Sequence, residues 1–335
     1  MSTKRHAEMG ISMKLFTSKV IKRHLPWLCL LPLLSACVTE GGPAPRPEST
    51  PLARQVIQQL NQFNTLLPGR YGNFLQYHSE QQGITEAEAH RKTPPLFLDI
   101  DIQSDLTEQL NFVVEQRNRG SQVPSRAFIW TIIATETQLV LRVTPRDRVG
   151  ARPCDIPLKA ISGGYAGQSD PRLCAIGNAN GPQLGIRKEI AITRGQITLA
   201  DQLIELNSGE IRIDTRLEFQ RIAHFKGWAG VRNEHGEWQL SKEFALHNDG
   251  DQVSLMGRDG FPLGVKLQLA RVLYRENKPP MLRLSVFKEP KKVAGKLVDE
   301  NARDELVGYS WAAISSGQIG INIDWLQAGL EFIEP

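Results

Sequence analysis

The alternation of hydrophobic and polar residues predicts one amphipathic helix followed by a long series of strands. From Leu52 to Leu67, apolar residues recur at spacings of three or four, with glutamines and Arg54 on the other face. This is the period of a helix with one buried side, and Pro68-Gly69 ends it. The β-branched and aromatic runs that follow are separated by glycine, proline and aspartate turns. They predict strands at 96–103, 111–116, 127–135, 137–143, 155–160, 164–168, 185–192, 196–201, 202–206 and 217–222.

A second β-rich segment follows Trp228. Its predicted strands are 238–246, 252–257, 265–274, 281–287 and 317–325. Many short strands at close spacing behind one leading helix are typical of an antiparallel barrel or sandwich. We therefore predict a mainly β protein with one N-terminal helix and a β-rich C-terminal segment.

The first residues have a different pattern, in which a short apolar run follows a basic leader and ends at Leu34-Ser35-Ala36-Cys37. The run is too short to span a bilayer as a helix, and its flanks are those of a signal peptide. The final four residues have the form of a lipobox, which predicts cleavage before Cys37 and lipidation of its thiol. An uncleaved membrane anchor is the alternative, and Pro26 and Pro32 disfavour it. The start codon is left open among Met1, Met9 and Met13.

These features predict a lipid-anchored protein of the bacterial cell envelope. Residues 38–51 are rich in glycine and proline and predict a flexible tether. Val38 follows the lipidated cysteine; an aspartate there retains a lipoprotein at the inner membrane in enterobacterial-type sorting. We therefore expect the outer membrane, with the protein facing the periplasm.

The net charge of +4 belongs to the leader. Residues 1–37 contain six basic residues and one acidic residue, so the totals of 40 and 36 fall to 34 and 35 in the remainder. A near-neutral mature chain gives no electrostatic support for a nucleic-acid partner, and we predict none.

Two of the four cysteines, Cys154 and Cys174, remain after the leader and the lipidated residue are set aside. In an oxidising compartment such a pair is read as a disulfide. Two reduced, buried thiols are the alternative. A zinc site is disfavoured because two isolated cysteines without spaced histidines supply too few ligands.

Standard catalytic motifs are absent from the sequence, including nucleophile-elbow, phosphate-loop, dinucleotide and zinc-protease patterns. Asp99 and Asp101 alternate along a predicted strand with Asp105 nearby, which suggests a cation site or, as we favour, a solvated strand edge. Three histidines at intervals of eleven and twelve residues would converge on a metal only if successive hairpins aligned them, and surface histidines are favoured instead. They are His224, His235 and His247. We predict no metal.

Two clusters are candidates for a ligand site. One is 69–76, where aromatic and amide groups lie at the junction of helix and sheet; the other is 112–116, an apolar strand that ends in Glu115-Gln116. If Glu115 faces a barrel interior it needs a partner, which Arg126 or Arg142 would supply. A paired charge in an apolar cavity is typical of a small-ligand site. The alternative, which the sequence supports equally, is that Glu115 forms an ion pair on the surface at the end of a strand.

An ordered series of residues extends these clusters from Leu60 to Trp228. It comprises Leu67-Pro68-Gly69, Tyr71-Gly72-Asn73, Gln76, Phe112 to Gln116, Cys154-Asp155, Gly167, Cys174, Ile186 to Ile192 with Glu189, and Phe219-Gln220-Arg221. In this order the chain resembles the CpcT/CpeT chromophore lyases. The resemblance implies a calycin-like antiparallel barrel with a pocket for an extended tetrapyrrole. Relatives of known role attach a bilin to a cysteine of a client protein, so any enzymatic activity implied is that of a bilin lyase.

The resemblance also implies site residues. The pocket candidates are Tyr71, Asn73, Gln76, Glu115, Gln116 and Arg126. An arginine would pair with a propionate and a carboxylate with the pyrrole nitrogens. The predicted regions are a signal peptide at 1–36, a tether at 37–51, a barrel at 52–225, and a β-rich domain or extension at 226–335. The lipobox and the last region depart from the family pattern.

Two functions follow from the sequence. The first is a lipid-anchored barrel that binds a small, largely apolar ligand such as a bilin or other tetrapyrrole, with no cofactor required and a protein client implied. The second is a non-enzymatic envelope lipoprotein that binds a protein partner or the cell wall. A pocket lined by a charged residue favours the first, and an exposed apolar patch favours the second.

Overall fold

The computed structural model describes residues 51–81, 93–106, 109–146, 152–176, 183–274, 278–290, 292–293, 296–299 and 301–334. The predicted signal peptide, Cys37 and the tether up to residue 50 lie outside these ranges.

The predicted amphipathic helix is present as α1 (Pro51–Leu66). Its apolar stripe of Val56, Leu60 and Phe63, continued by Leu67, is buried in the core of the first sheet. Neither helix within the described ranges has the length and hydrophobicity that a membrane span needs.

Eleven strands and a second short helix follow α1. They are β1 (Gly69–Gly72), α2 (Phe74–Gln81), β2 (Leu96–Leu106), β3 (Gln109–Asn118), β4 (Arg126–Ala134), β5 (Leu139–Pro145), β6 (Cys154–Ile161), β7 (Gly164–Gln168), β8 (Ala175–Ile176), β9 (Leu184–Thr193), β10 (Gln196–Glu205) and β11 (Ile211–Arg221). The eleven-stranded sheet has the order β10-β11-β1-β2-β3-β4-β5-β6-β7-β9-β8, and its pairs are antiparallel. An additional β9–β10 pairing joins the two sides of the sheet and closes it. The predicted calycin-like antiparallel barrel is therefore confirmed.

Strand alternation determines which side chains fill the barrel. On β3, Leu110, Phe112 and Val114 are fully buried, so the even-numbered side chains point inward and Glu115 points outward. Trp130 and Ile132 of β4 join the same core as α1.

The C-terminal part forms two further sheets. Its strands are β12 (His224–Arg232), β13 (Trp238–His247), β14 (Asp249–Met256), β15 (Pro262–Val272), β16 (Met281–Lys288), β17 (Lys292–Val293), β18 (Lys296–Leu297), β19 (Glu305–Ala313), β20 (Gln318–Ile323) and β21 (Leu326–Ile333). One four-stranded sheet has the order β13-β12-β21-β20, the other has β14-β15-β16-β19, and β17 pairs with β18. Buried side chains of both larger sheets, such as Val231 and Leu284, share one core, which makes this part a sandwich.

Several elements differ from the sequence prediction. The predicted strands 196–201 and 202–206 are one strand, β10, and the predicted strand 317–325 is β20, the first arm of a hairpin whose second arm is β21. The strands that were not predicted are β1, β8, β12, β17, β18, β19 and β21. Helix α2 was missed because its sequence, FLQYHSEQ, is mostly polar. Only Phe74 of α2 is buried, so the sequence carries no helical apolar stripe there.

The predicted disulfide between Cys154 and Cys174 is confirmed, with a Cα–Cα distance of 5.2 Å. It closes a loop of 20 residues between β6 and β8. We expect the Cys154→Ala/Cys174→Ala variant to lose about 3 kcal/mol of unfolding free energy, because the unfolded chain regains the entropy of the open loop. Urea denaturation measures this loss, with reduced wild-type protein as the control for the side-chain change. An unchanged midpoint in both samples would show that the bond carries no stability.

A buried charge joins the barrel to the sandwich. The Asp249 carboxylate is 1% exposed and accepts hydrogen bonds from the Arg119 guanidinium at 2.6 Å and from the Phe74 amide at 3.2 Å. Arg271 lies 3.7 Å away. Burial raises the pKa of Asp249, against the opposing pull of the two arginines. A Cβ on Gly72 would overlap this carboxylate, so the close approach requires glycine there.

A neutral histidine lies beside this charge. The Nδ1 atom of His247 accepts a hydrogen bond from the Asp249 amide at 3.3 Å, which only an unprotonated nitrogen can do. Burial lowers the pKa of His247 to about 4, assisted by Arg119 and opposed by Asp251.

We expect stability to fall as the pH drops from 6.5 to 4. The unfolded histidine takes up its proton near pH 6.5 and the folded one only near pH 4. Stability from this group is therefore complete above pH 6.5, and its loss reaches about 3 kcal/mol at pH 4. Urea midpoints across this range measure the effect in wild type and His247→Asn, whose side-chain oxygen keeps an acceptor. The variant should have a flatter curve, whereas His235→Asn, at an exposed turn, should match wild type. Parallel curves for wild type and His247→Asn would contradict the assignment.

Candidate functional site

A cleft of about 1020 Å³ opens at one side of the barrel. Its walls come from α2, the start of β2, the ends of β3 and β4, and β11, and Leu273 of the sandwich closes one side. Strand β1 pairs with β11 only at Arg221 and Gln220. Among the described residues, the rest of β11 therefore has no strand partner on this side, and the cleft occupies that gap.

A smaller cavity of about 70 Å³ continues the cleft into the barrel. The two share four lining residues, which are Gln116, Arg126, Thr215 and Leu217. The inner cavity adds apolar side chains from the barrel core, including Phe128, Trp130 and Leu199. The site is thus a wide polar mouth above a narrow apolar floor.

The polar residues of the mouth lie at the ends of otherwise apolar inward faces. Gln116 on β3 and Arg126 on β4 are register partners, and both follow the inward alternation of their strands. Arg126 is exposed, and it forms no ion pair with any residue that the structure describes. Its charge is therefore available to an anionic group in the cleft.

An ion pair borders the inner cavity. Lys188 of β9 and Asp201 of β10 are register partners, and the Lys188 ammonium donates to both carboxylate oxygens of Asp201 at 2.8 and 2.9 Å. Both residues line the cavity. The site therefore combines the Arg126 guanidinium with an ion pair at the border of the inner cavity, where the Asp201 side chain is 39% exposed.

Gln76 holds α2 against the cleft. Its amide nitrogen donates to the Arg216 carbonyl at 2.9 Å, and its amide oxygen accepts from the Glu218 amide at 2.9 Å. The side chain thus satisfies backbone groups of β11 where β1 has ended. Gln76 lines the cleft and has a structural role there as well.

Tyr71 and Asn73 lie outside these cavities and are fully buried. The Tyr71 hydroxyl donates to the Leu66 carbonyl at 2.7 Å and accepts from Arg221 at 2.6 Å, which ties it to the end of α1. Burial raises the pKa of Tyr71 to about 12, against the lowering effect of Arg221. The Asn73 side chain accepts from the Leu96 amide at 2.6 Å and donates to the Pro94 carbonyl at 3.0 Å. The polar groups of Tyr71 and Asn73 are therefore hydrogen-bonded within the fold. The prediction that these two residues bind a ligand stays a prediction.

The structure gives Glu115 a different partner from the two that the sequence suggested. Glu115 points outward and pairs with Arg117, because its position alternates with the buried residues of β3. Arg142, the other suggested partner, pairs with Asp155 at 2.8 Å on the outer face. Arg126 alone of the suggested charges lines the cleft.

The candidate metal positions do not converge. Asp99 accepts from Arg70 at 2.5 Å and lies 3.5 Å from Arg117, and the Asp105 side chain is outside the described ones. The rings of His224 and His247 are 6.0 Å apart, with His235 at the distant turn of their hairpin. In the part of the chain that the structure describes, no three His, Cys, Asp or Glu side chains group closely enough to hold a metal ion.

Sequence reasoning missed α2, Lys188 and Asp201 as parts of the site. The inward alternation of β9 and β10 was the available signal, because Lys188 and Asp201 interrupt apolar faces that include Ile190 and Leu199. No local pattern indicates that the two residues are opposite each other. Their pairing follows from the register between the strands.

The comparisons with known proteins give a likeness to solved structures. Neither a protein-family model nor a curated protein matches the sequence. Among solved structures, the chain is similar to the T-type phycobiliprotein lyase CpeT from Prochlorococcus phage P-HM1. The TM-score is 0.32 and the identity 15%, over 48% of this chain and 96% of that chain. The barrel described above is established by its own strand pairings.

Proposed function

We propose that this chain is a lipid-anchored envelope protein whose barrel binds a small, largely apolar ligand that carries an anionic group. The observation that supports this is the convergence of Gln76, Gln116 and Arg126 on one cleft. They come from α2, β3 and β4, and the cleft continues into an apolar cavity at the barrel core.

The dimensions of the site agree with a small molecule. Ligand pockets in proteins commonly occupy about 300–1,000 Å³ and combine an apolar lining with a few polar groups. This cleft of about 1020 Å³ is at the upper end of that range. A ligand that bridges the mouth and the floor would place its acidic group at the mouth and its apolar part against Phe128 and Trp130.

A tetrapyrrole is the candidate ligand that the sequence resemblance supplies. It has propionate groups that suit the Arg126 guanidinium, and pyrrole nitrogens that suit a carboxylate. Asp201 and Glu189 are the carboxylates that line the inner cavity, whereas Glu115 points outward. Delivery of a chromophore to a client protein, as by a lyase, is a further step that only the resemblance suggests.

The proposed location rests on the sequence of the leader. Lipidation of Cys37 would hold the barrel at the periplasmic face of the outer membrane through several acyl chains, which bind firmly where a single chain would not. A protein at that surface would meet apolar molecules as they leave or approach the bilayer.

Titration of the purified barrel-containing protein tests the binding proposal. Biliverdin, heme and a long-chain fatty acid are added separately, and bound ligand is followed by absorbance or by quenching of tryptophan fluorescence, since Trp130 lines the cavity. We expect saturable binding of at least one of the three, with quenching. A protein that binds none of them would refute the proposal, and binding of the fatty acid alone would exclude the tetrapyrrole.

A further inference from the structure

The outward face of the sheet β13-β12-β21-β20 presents two large aromatic side chains to solvent. Trp228 is 50% exposed and Trp238 is 45% exposed. Side chains on the opposite face, such as Ala229 and Leu330, are buried in the sandwich core. The two indoles therefore contribute little to the core, and their exposure calls for another explanation.

Each indole covers a glycine of a neighbouring strand. A Cβ on Gly329 would lie 2.9 Å from the indole nitrogen of Trp228, and a Cβ on Gly230 would lie 3.3 Å from the Trp238 ring. The rings thus occupy space that a side chain at these glycines would take. Gly320, the register partner of Gly329, extends the floor to β20.

Register places polar groups around this floor. Trp228 pairs with Lys242 and Trp238 with Arg232, so each indole has a cation beside it on the next strand. Gln327 of β21 and Asn322 of β20 are register partners, two residues along their strands from Gly329 and Gly320. Their side-chain amides have both donors and acceptors, which is what sugar hydroxyl and acetamido groups require.

Two cations of this face have no acidic partner among the described residues, which favours an acidic ligand beside them. Lys226 and Glu331 lie 3.8 Å apart and neutralise each other, whereas Lys242 and Arg232 form no ion pair with any described residue. Two cations beside two aromatic rings suit a chain of pyranose rings whose peptide substituents carry carboxylates. The C–H faces of the sugars pack on the electron-rich indole faces, and the carboxylates pair with the cations.

We infer that this face is a binding site for a glycan strand with acidic substituents, and that the strand is peptidoglycan. The site is separate from the barrel cleft and does not depend on the ligand proposed there, but the choice of peptidoglycan rests on the proposed location in the cell envelope. The glycines let the indole rings pack directly against the sheet, the exposed faces of the indoles stack on the sugar rings of the strand, and Lys242 and Arg232 hold its carboxylates. Together the three features define an extended site across all four strands of the sheet.

Co-sedimentation of the full chain, detergent-solubilised, with purified peptidoglycan sacculi tests the inference. We expect wild-type protein to sediment, and the Trp228→Ala/Trp238→Ala variant to lose at least about tenfold in affinity, as for aromatic residues at the centre of an interface. Phe261→Ala is the matched control, because Phe261 is 69% exposed on a turn of the same sandwich; it should sediment as wild type does.

A second variant tests the inference independently, in case the tryptophan variant does not fold. Lys242→Gln/Arg232→Gln replaces exposed side chains, and we expect it to bind more weakly and with less salt dependence than wild type. Circular dichroism and thermal midpoints confirm the fold of each variant. Three results would each overturn the inference: wild-type protein does not sediment, both double variants bind sacculi as tightly as wild type does, or wild type binds neutral cellulose as tightly as sacculi. None of these results depends on a ligand in the barrel.

Discussion

Replacement of Asp249 by alanine is expected to lower the free energy of unfolding by about 3–5 kcal/mol, the usual cost of removing one partner from a buried ion pair. The variant leaves Arg119 and Arg271 without their carboxylate and removes the acceptor for the Phe74 amide at the start of α2. Natural domains have about 5–15 kcal/mol of stability in total. The loss would therefore be a large part of the whole, and urea denaturation at pH 7 measures it.

The exposed pair of Arg142 and Asp155 is the control for this experiment. Their side chains are 44% and 42% exposed, and solvent screening limits such pairs to about 0–1 kcal/mol. We expect Asp155→Ala to behave almost as wild type. Equal effects of Asp249→Ala and Asp155→Ala would contradict the view that Asp249 fixes α2 and the sandwich to the barrel.

Replacement of Arg126 by glutamine is expected to weaken binding of an anionic ligand about tenfold to a hundredfold. Hydrogen bonds to charged groups are worth about 1.5–3 kcal/mol, and about 1.4 kcal/mol corresponds to a factor of ten. Arg126 lines both the cleft and the inner cavity. The titration described for biliverdin, heme and fatty acid provides the measurement, with whichever probe binds wild type.

Arg142→Gln is the matched control for Arg126→Gln. Both arginines belong to the same barrel, but Arg142 lies on its outer face beside Asp155. We expect the Arg142 variant to bind as wild type does, and both variants to unfold at similar urea concentrations. Equal weakening by the two substitutions would mean that the effect is one of overall charge, and the cleft would lose its support as the site.

The barrel could be predicted from the sequence because most of its strands have a local pattern of alternating apolar and polar residues. The inward faces of β3 and β4 alternate strictly, and breakers such as Ser162-Gly163-Gly164 separate β6 from β7. The leading helix has a complete apolar stripe for the same reason. Where a short or polar segment depends on tertiary contacts, as in β1 and α2, no local pattern remains. Phe74 is buried against Ala270 and Val272 of β15, and its backbone amide donates a hydrogen bond to Asp249 of β14, so both of its partners lie far along the chain.

The candidate site was harder to predict, because a site depends on which residues face each other. Gln116 and Arg126 were recognised at the ends of their strands, and register places them side by side. Glu115 is adjacent to Gln116 in sequence and points to the other face. To decide whether the Glu115 carboxylate points inward, one must know which alternate residues of β3 face the core. The residue at the end of the strand does not reveal this by itself. Lys188 and Asp201 are joined only by the pairing of β9 with β10.

Native mass spectrometry of the full chain purified from its native host cells tests the central claim most directly. The claim is that the barrel mouth and its apolar floor hold a small, largely apolar ligand. We predict that the protein carries the additional mass of one small molecule, and that this mass is lost from Arg126→Gln and kept by Arg142→Gln. A wild-type protein that carries no added ligand and takes up neither biliverdin, heme nor fatty acid would contradict the claim.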